Sequence, residues 1–512
     1  MIRKLSKRIG RAAVLIGGLL IAVVGPSSIA FPTAMLAQAS TLQAPSTTLV
    51  SGITVQNLSN QSNSIQIQFY NPDGTQPAAT TISATLAPLA QETWYTPTQT
   101  SLPSGFAGSA VVSGQFAVAA IFNTQTPTST GTSTSDPIRV DTGYGADPTK
   151  TGQIGSTLYV PQVMSHYSGF YSEIYVQNAS VGTGSPQTAA VTVTYKDRNG
   201  NAIPAATESA SIAPGANHVF NQQANSNLGS LLGSAVVSAS GGVPLAGIVN
   251  IFAADTDNTN AQLLTYNAVA AGGTRLYAPR IVNNYYGFSS GLTIQNLDPS
   301  TTANVTMTFN FPGSTPTVNA SIPPQAAIAL YLPTMTDGSG HALPSGNALG
   351  KGSAVITSNV NVNAIVNEDN RISPSFIGEG TTYNAFVDGT QTTTAFMPQI
   401  TSCFYGYASG LTVQNVGSSA GSGTITLTGG GVSKQFPTGT IGPNSTQIYF
   451  APNLWTSGNF NGSATVTFSQ PVVAIANISF RGNNNPCSNP SGSGPVAGAY
   501  GDSSSAYNAI NQ

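Results

Sequence analysis

The stretch SGLTIQNLDPST, residues 290–301, recurs as SGITVQNLSNQS from Ser51, SEIYVQNASVGT from Ser172 and SGLTVQNVGSSA from Ser409. The glutamine of each copy is Gln56, Gln177, Gln295 and Gln414, so the period is 121, 118 and 119 residues. That spacing is the length of one small β domain used four times. Blades of a propeller recur at shorter intervals, which argues against a single large closed sheet.

Working outward in the third copy, RLYAPRI and the loop NNYYGFS precede the repeated strand, and NVTMTFNF follows it. There Val305, Met307 and Phe309 alternate with Thr306 and Thr308, the period-two pattern of a half-buried strand. The pattern returns with Ile65, Ile67 and Phe69, with Val191, Val193 and Tyr195, and with Ile425 and Leu427. A proline turn comes next, at Pro88, Pro214, Pro324 or Pro443, and a strand carrying Trp94, Phe220, Tyr331 or Tyr449. Gly-Ser-Ala then opens at Gly108, Gly233, Gly352 and Gly462. It leads to strands ending in Asn123, Asn250, Asn367 and Asn477, and finally to TGYGA, TYNAV, TYNAF or AYNAI. Short strands joined by Gly, Pro and Asn turns, with no helical period, predict an all-β chain of four tandem immunoglobulin-like antiparallel β-sandwich domains. The boundaries expected are 41–150, 151–270, 271–390 and 391–512, the first repeat having a shortened start.

Charged residues make up only 6% of the chain, and amides, hydroxyls and glycine supply the polar surface. Long-range attraction of nucleic acid is not expected from such a surface. Five of the 15 basic residues, Arg3, Lys4, Lys7, Arg8 and Arg11, precede an apolar run from Ala12 to Val24, and Ala37-Gln38-Ala39 is a small-x-small site. Residues 1–39 therefore read as an export signal, or, if uncut, as the one membrane contact of the chain. A secreted or cell-surface location follows, and in that compartment Cys403 and Cys487 can close a disulfide. Counting strand reversals places both cysteines at the same end of the fourth sandwich.

That end also carries aromatic loops. The rings are Tyr167, Phe170 and Tyr171, with His166 beside them, in the second copy. They are Tyr285, Tyr286 and Phe288 in the third, and Phe404, Tyr405 and Tyr407 in the fourth. Flat rings on loops stack on the apolar faces of sugars, and rings at one fixed spacing also plug the end of their own core or seat a neighbouring domain. Both readings stand at this level. The Gln-Asn pair reads as amides satisfying backbone groups at a turn, and Gly-Ser-Ala as a strand start that needs small residues. His166, His218 and His341 fall at three different module positions, no carboxylate pair recurs, and no cofactor is expected, so the sequence points away from an enzyme. Asp255, Asp257 and Asn260 form a loose oxygen-ligand run that lacks the glycine and distal glutamate of a calcium loop.

From about Thr41 to Gln512 the motif order, YYGF-like loop, VQN strand, Gly-Ser-Ala and AIVN strand, resembles exported bacterial repeat modules of surface proteins. More broadly it resembles tandem immunoglobulin-like domains of surface layers, stalks and adhesins. The resemblance implies a non-enzymatic structural or adhesive role, with cell-envelope components, extracellular polysaccharide or other copies of the chain as partners. A carbohydrate-binding protein using the loops of repeats two to four is the alternative, and a hydrolase with a site in one repeat is a further one.

Overall fold

The computed structural model describes residues 33–36, 49–77, 80–99, 101–125, 140–146, 152–181, 185–253, 262–370, 379–480, 487, 502 and 504–511. Strand is its dominant element, joined by turns and a few helical segments of three or four residues. The second module shows the plan, with β1 (Thr157–Ser165), β2 (Phe170–Asn178), β3 (Ala189–Asp197), β4 (Glu208–Ile212), β5 (Asn217–Asn221), β6 (Leu231–Ala239), β7 (Leu245–Ala253) and β8 (Leu263–Ala268). One sheet has the order β5-β2-β7-β8 and the other β4-β3-β6-β1, all pairs antiparallel. The alternating Val191, Val193 and Tyr195 point into the core between the sheets, while Ala190 and Thr194 face outward. The all-β sandwich reading therefore holds. Its connectivity departs from the immunoglobulin order, in which the last strand pairs with the sixth, because here β7 crosses to pair with β2. In the third and fourth modules β6 and β7 become single strands, Lys351–Asn370 and Phe460–Phe480, which pass from one sheet into the other. In the first module a four-residue strand, Thr33–Leu36, pairs with Ser109–Val112 at the edge that β1 takes elsewhere.

The modules form a closed ring. The β8-position strands, Val140–Tyr144, Leu263–Ala268, Gly380–Asn384 and Ser504–Asn508, gather around a quasi-fourfold axis, each touching the strands of both neighbours. One isoleucine of each AIVN-type strand enters the core of the preceding module. Ile248 packs in the first core, Ile365 in the second, Ile475 in the third and Ile121 in the fourth, and all four are fully buried. The interface is head-to-tail and closes after four steps.

Polar groups repeat the same cycle. Ser109 Oγ donates to the Gly215 carbonyl, Ser234 to Gln325 (2.9 Å), Ser353 to Asn444 (2.6 Å) and Ser463 to Leu89 (2.9 Å). Each acceptor is the left-handed residue of the next module's proline turn. The same carbonyls take the Nε2 of Gln177, Gln295, Gln414 and Gln56 from within their own modules. The neighbouring Asn57, Asn178, Asn296 and Asn415 bond carbonyls of the same turn region. The glycine before each serine is equally determined, because a Cβ at Gly108, Gly233, Gly352 or Gly462 would lie 2.0, 2.1, 2.1 or 2.2 Å from a backbone oxygen of the paired strand.

At the axis two buried carboxylates tie backbones of all four modules. Asp141 accepts N–H bonds from Thr142, Thr265 and Ala506, and Asp502 from Leu263, Gly380 and Ser504. Burial pushes both well above the ordinary carboxylate range, although the backbone donors pull the other way. An amide ladder runs beside them: Asn508 Nδ2 donates to the Asn384 carbonyl (2.6 Å), Asn384 to Asn267 (2.8 Å) and Asn267 to Tyr144 (2.9 Å).

Candidate functional site

The aromatic loops share one backbone form. His166 and Ser168, Asn284 and Tyr286, and Cys403 and Tyr405 all have positive φ, each followed by a left-handed glycine. A bridge closes each turn, Tyr167 to Phe170, Tyr285 to Phe288 and Phe404 to Tyr407. This geometry forces the residue before the glycine outward, so Tyr286 is 61% and Tyr405 55% exposed. The second module has Ser168 there and presents no such ring.

The nine aromatic residues thus divide. Phe170 and Tyr171 are buried, and Tyr171 stacks on Phe252 at 5.2 Å, so neither offers a face to a ligand. The strand that starts at the loop turns them inward. Tyr167 is half-buried. Tyr407 packs edge-on against Phe480 (5.3 Å), and Phe404 against Tyr405 (4.5 Å). The Cys403–Cys487 disulfide fastens the loop of the fourth module. The rings of the third module come together with a cavity: Tyr285, Tyr286 and Phe288 line a cleft of about 970 Å³. Asp255, Asp257 and Asn260 lie outside the described residues. His166, His218 and His341 stay apart, and among the described residues no group of His, Cys, Asp and Glu is arranged to hold a metal.

This cleft lies on the seam between the third and fourth modules. Opposite the tyrosine loop, the fourth module contributes the edge strand Thr446–Phe450, with Gly410 and Asn477 on the strands beside it. The opening has a local cause. In the seam between modules two and three, Asn367 Nδ2 donates to Gln162 Oε1 (2.6 Å), and between four and one Asn123 Nδ2 donates to Gln399 Oε1 (2.6 Å). The third module carries Arg280 in place of that glutamine. Its Nε bonds both carboxylate oxygens of its own module's buried Glu368 at 2.9 Å, away from the seam. The Oδ1 of Asn477, the counterpart of Asn367, is buried and without a hydrogen bond for a separate reason: Ala506 is paired with it where Thr382 and Thr142 donate a hydroxyl to Asn367 and Asn123. Nδ2 of Asn310 is likewise buried without a hydrogen bond. Between modules one and two the space is filled instead. Glu173 stands where Gly410 stands in the fourth module, and Tyr175 packs into the first core.

Two cations flank Tyr285: the Arg280 guanidinium carbon is 5.9 Å and Lys351 Nζ 5.4 Å from its ring centroid. Burial pushes the Tyr285 hydroxyl up, against the pull of Arg280. Arg280 is neutralised by Glu368. The Lys351 ammonium has no ion pair or hydrogen bond among the described residues. None of the lining residues is His, Cys, Asp or Glu, so the cleft offers rings, amides and a cation, and no nucleophile paired with a base. A shallower depression of about 540 Å³ on the first module is lined by uncharged residues, mostly serine, threonine and glutamine with Ile65 and Ala84, and carries neither ring nor charge.

The Pro-Arg of RLYAPRI, against Pro-Gln at Pro161-Gln162 and Pro398-Gln399, is the sequence signal of this cleft. It becomes readable only once that position is known to face the next module.

No family model matches the chain, and no curated protein matches it. Among solved structures it is similar to the Thermotoga maritima 1070 protein at 20% identity, over 23% of this chain and 96% of that one, with a TM-score of 0.19. It is similar to the pilus adhesin SpaC of Lactobacillus rhamnosus GG at 13% identity, over 90% of this chain and 56% of that one, with a TM-score of 0.11. The Faustovirus major capsid protein matches at 8% identity, over 94% of this chain and 93% of that one, with a TM-score of 0.08. At these TM-scores none of the three bears on function.

Proposed function

We propose that the chain is an exported, non-enzymatic adhesive element of the cell surface, a rigid four-module ring that contacts its partner through the cleft between the third and fourth modules. The observation that carries this reading is the cleft itself: a tyrosine-lined space held open at one seam of a scaffold whose repeated residues are spent on folding and closure. The basic and apolar start of the chain and its disulfide support export. A sparse set of carboxylates and the dispersed histidines support the absence of catalysis.

Aromatic lining with amides favours an extracellular polysaccharide as the partner, because rings meet the C–H faces of a sugar while amides meet its hydroxyls. Cell fractionation with an antibody to the mature chain tests the reading, together with retention of the Tyr286→Ala variant on whole cells. Surface recovery of the parent and loss of retention in the variant are expected. Recovery in the cytoplasm would refute the reading.

A further inference from the structure

We propose that the ligand of this cleft is an acidic saccharide, a sugar chain bearing carboxylate or sulfate groups, with Lys351 as its charge-recognising residue. The inference rests on the adhesive reading above and narrows its partner to one chemical class.

The argument starts from charge. The lining contains two cations and no acid, and one of them, Arg280, is already neutralised by the buried Glu368. Lys351 is left as a point charge whose nearest described interaction is the face of Tyr285 at 5.4 Å. An ammonium held over a ring inside a half-enclosed space is less well hydrated than one in open solvent, so an anion brought beside it recovers interaction that water supplies elsewhere. The chain as a whole has more acids than bases once residues 1–39 are set aside, so its general surface does not attract polyanions, and recognition depends on this one position.

Unused hydrogen-bonding groups supply the second step. Asn310 Nδ2 is an unpartnered donor and Asn477 Oδ1 an unpartnered acceptor, both at the cleft wall. Buried amide atoms without partners cost stability, and a ligand that carries both donors and acceptors relieves that cost when the two side chains, both of the cleft lining, turn their amides toward it. Hydroxyls do both at once. The rings come third: Tyr286 is 61% exposed and set edge-to-face on Tyr285 at 4.8 Å, a fixed platform for a pyranose. Gly410 lies in the lining with open space where a Cβ would stand, and the cleft of about 970 Å³ has room for a sugar residue. An acidic peptide would satisfy the charge, but a peptide offers fewer hydroxyls to the two amides and fewer flat C–H faces to the rings.

Titration calorimetry of the full chain tests the proposal with four probes: a tetragalacturonate, its carboxyl-reduced neutral form, a sulfated oligosaccharide of similar length and an oligoglutamate. Either anionic sugar is expected to bind at least tenfold more tightly than the neutral form, and to weaken as salt is raised. Lys351→Met is expected to bring anionic-sugar affinity down to that of the neutral sugar. Gly410→Phe, which fills that space in the cleft without touching the core, is expected to abolish binding of both. Unchanged melting temperatures would show that both variants fold. Equal affinity for charged and neutral sugars, or indifference to Lys351→Met, would overturn the anionic assignment and leave the adhesive reading standing. Oligoglutamate binding in preference to every sugar would overturn the saccharide class. If no probe binds while Tyr286→Ala still abolishes retention on cells, the inference falls alone; if retention also survives that variant, both fall.

Discussion

A serine that looks like part of a nucleophile motif closes the molecule here. Ser234 is fully buried, and its hydroxyl reaches into the next module rather than toward any base. Ser234→Ala is expected to cost about 1 kcal/mol, one net hydrogen bond, in denaturant unfolding. Gly233→Ala places a Cβ 2.1 Å from the Lys196 carbonyl and is expected to cost more, about 3 kcal/mol, because backbone has to move. Glu173 gives a pH test. Burial pushes its carboxyl up from 4.5 to about 7, against the donated bond from Tyr175. A raised carboxyl favours the protonated folded state, so the chain is expected to be more stable at acid pH and to lose roughly 3 kcal/mol as pH climbs from about 4.5 past 7. Glu173→Gln is expected to remove that share of the pH dependence of the melting temperature, while the raised Asp141 and Asp502 keep a remaining slope of the same sign. The recurrence of these residues is visible in the sequence, but their partners are not. Ser234 and the Gln325 carbonyl that it meets are 91 positions apart and belong to different copies.

At the scale of elements, the AIVN strand has two jobs that share one pattern of residues. It runs through the middle of its own sheet between β2 and β8, and its isoleucine is also a knob in the neighbouring core. Continuous burial along Leu245–Ala253 reflects contact on both faces, where a strand on the outside of a lone sandwich would alternate. Ile365→Ala is expected to cost about 2–5 kcal/mol, the range for a buried cavity, and to lower amide protection in the second module as well as the third. Hydrogen exchange followed by mass spectrometry distinguishes this from loss in one module alone. The YNA strand behaves similarly. Tyr266, Tyr383 and Tyr507 donate to the carbonyls of Gln162, Arg280 and Gln399, bracing the proline strand, while the asparagine beside each tyrosine faces the axis. The first module has Gly143 at the tyrosine position, and the Phe122 ring fills the space.

For the whole molecule, closure is the property that matters, because a head-to-tail contact that did not close would leave an apolar isoleucine knob exposed at one end and an open core at the other. A compact body of this length has a radius of gyration of about 23 Å, and small-angle scattering of the chain is expected near that value. Ile121→Glu puts a charge into the fourth core at the seam with the first module. It is expected to raise the radius while leaving the circular dichroism of the strands in place. An unchanged radius would mean that the ring does not depend on that seam.

The four copies, their succession of short strands and the aromatic loops were legible in the amino-acid sequence, since turn chemistry and alternation act over a few residues and repeat with the module; the order in which those strands pair was not. Which residues carried the copies into a ring, which rings turned inward, and why one seam stayed open were decided only by the tertiary structure. The physical reason is that each of these depends on a neighbour far away along the chain, from Phe480 for Tyr407 to the adjoining module for Ile365. A side chain such as Ile365, Asn477 or Arg280 has a meaning in a single repeat that changes once the adjoining module is pressed against it.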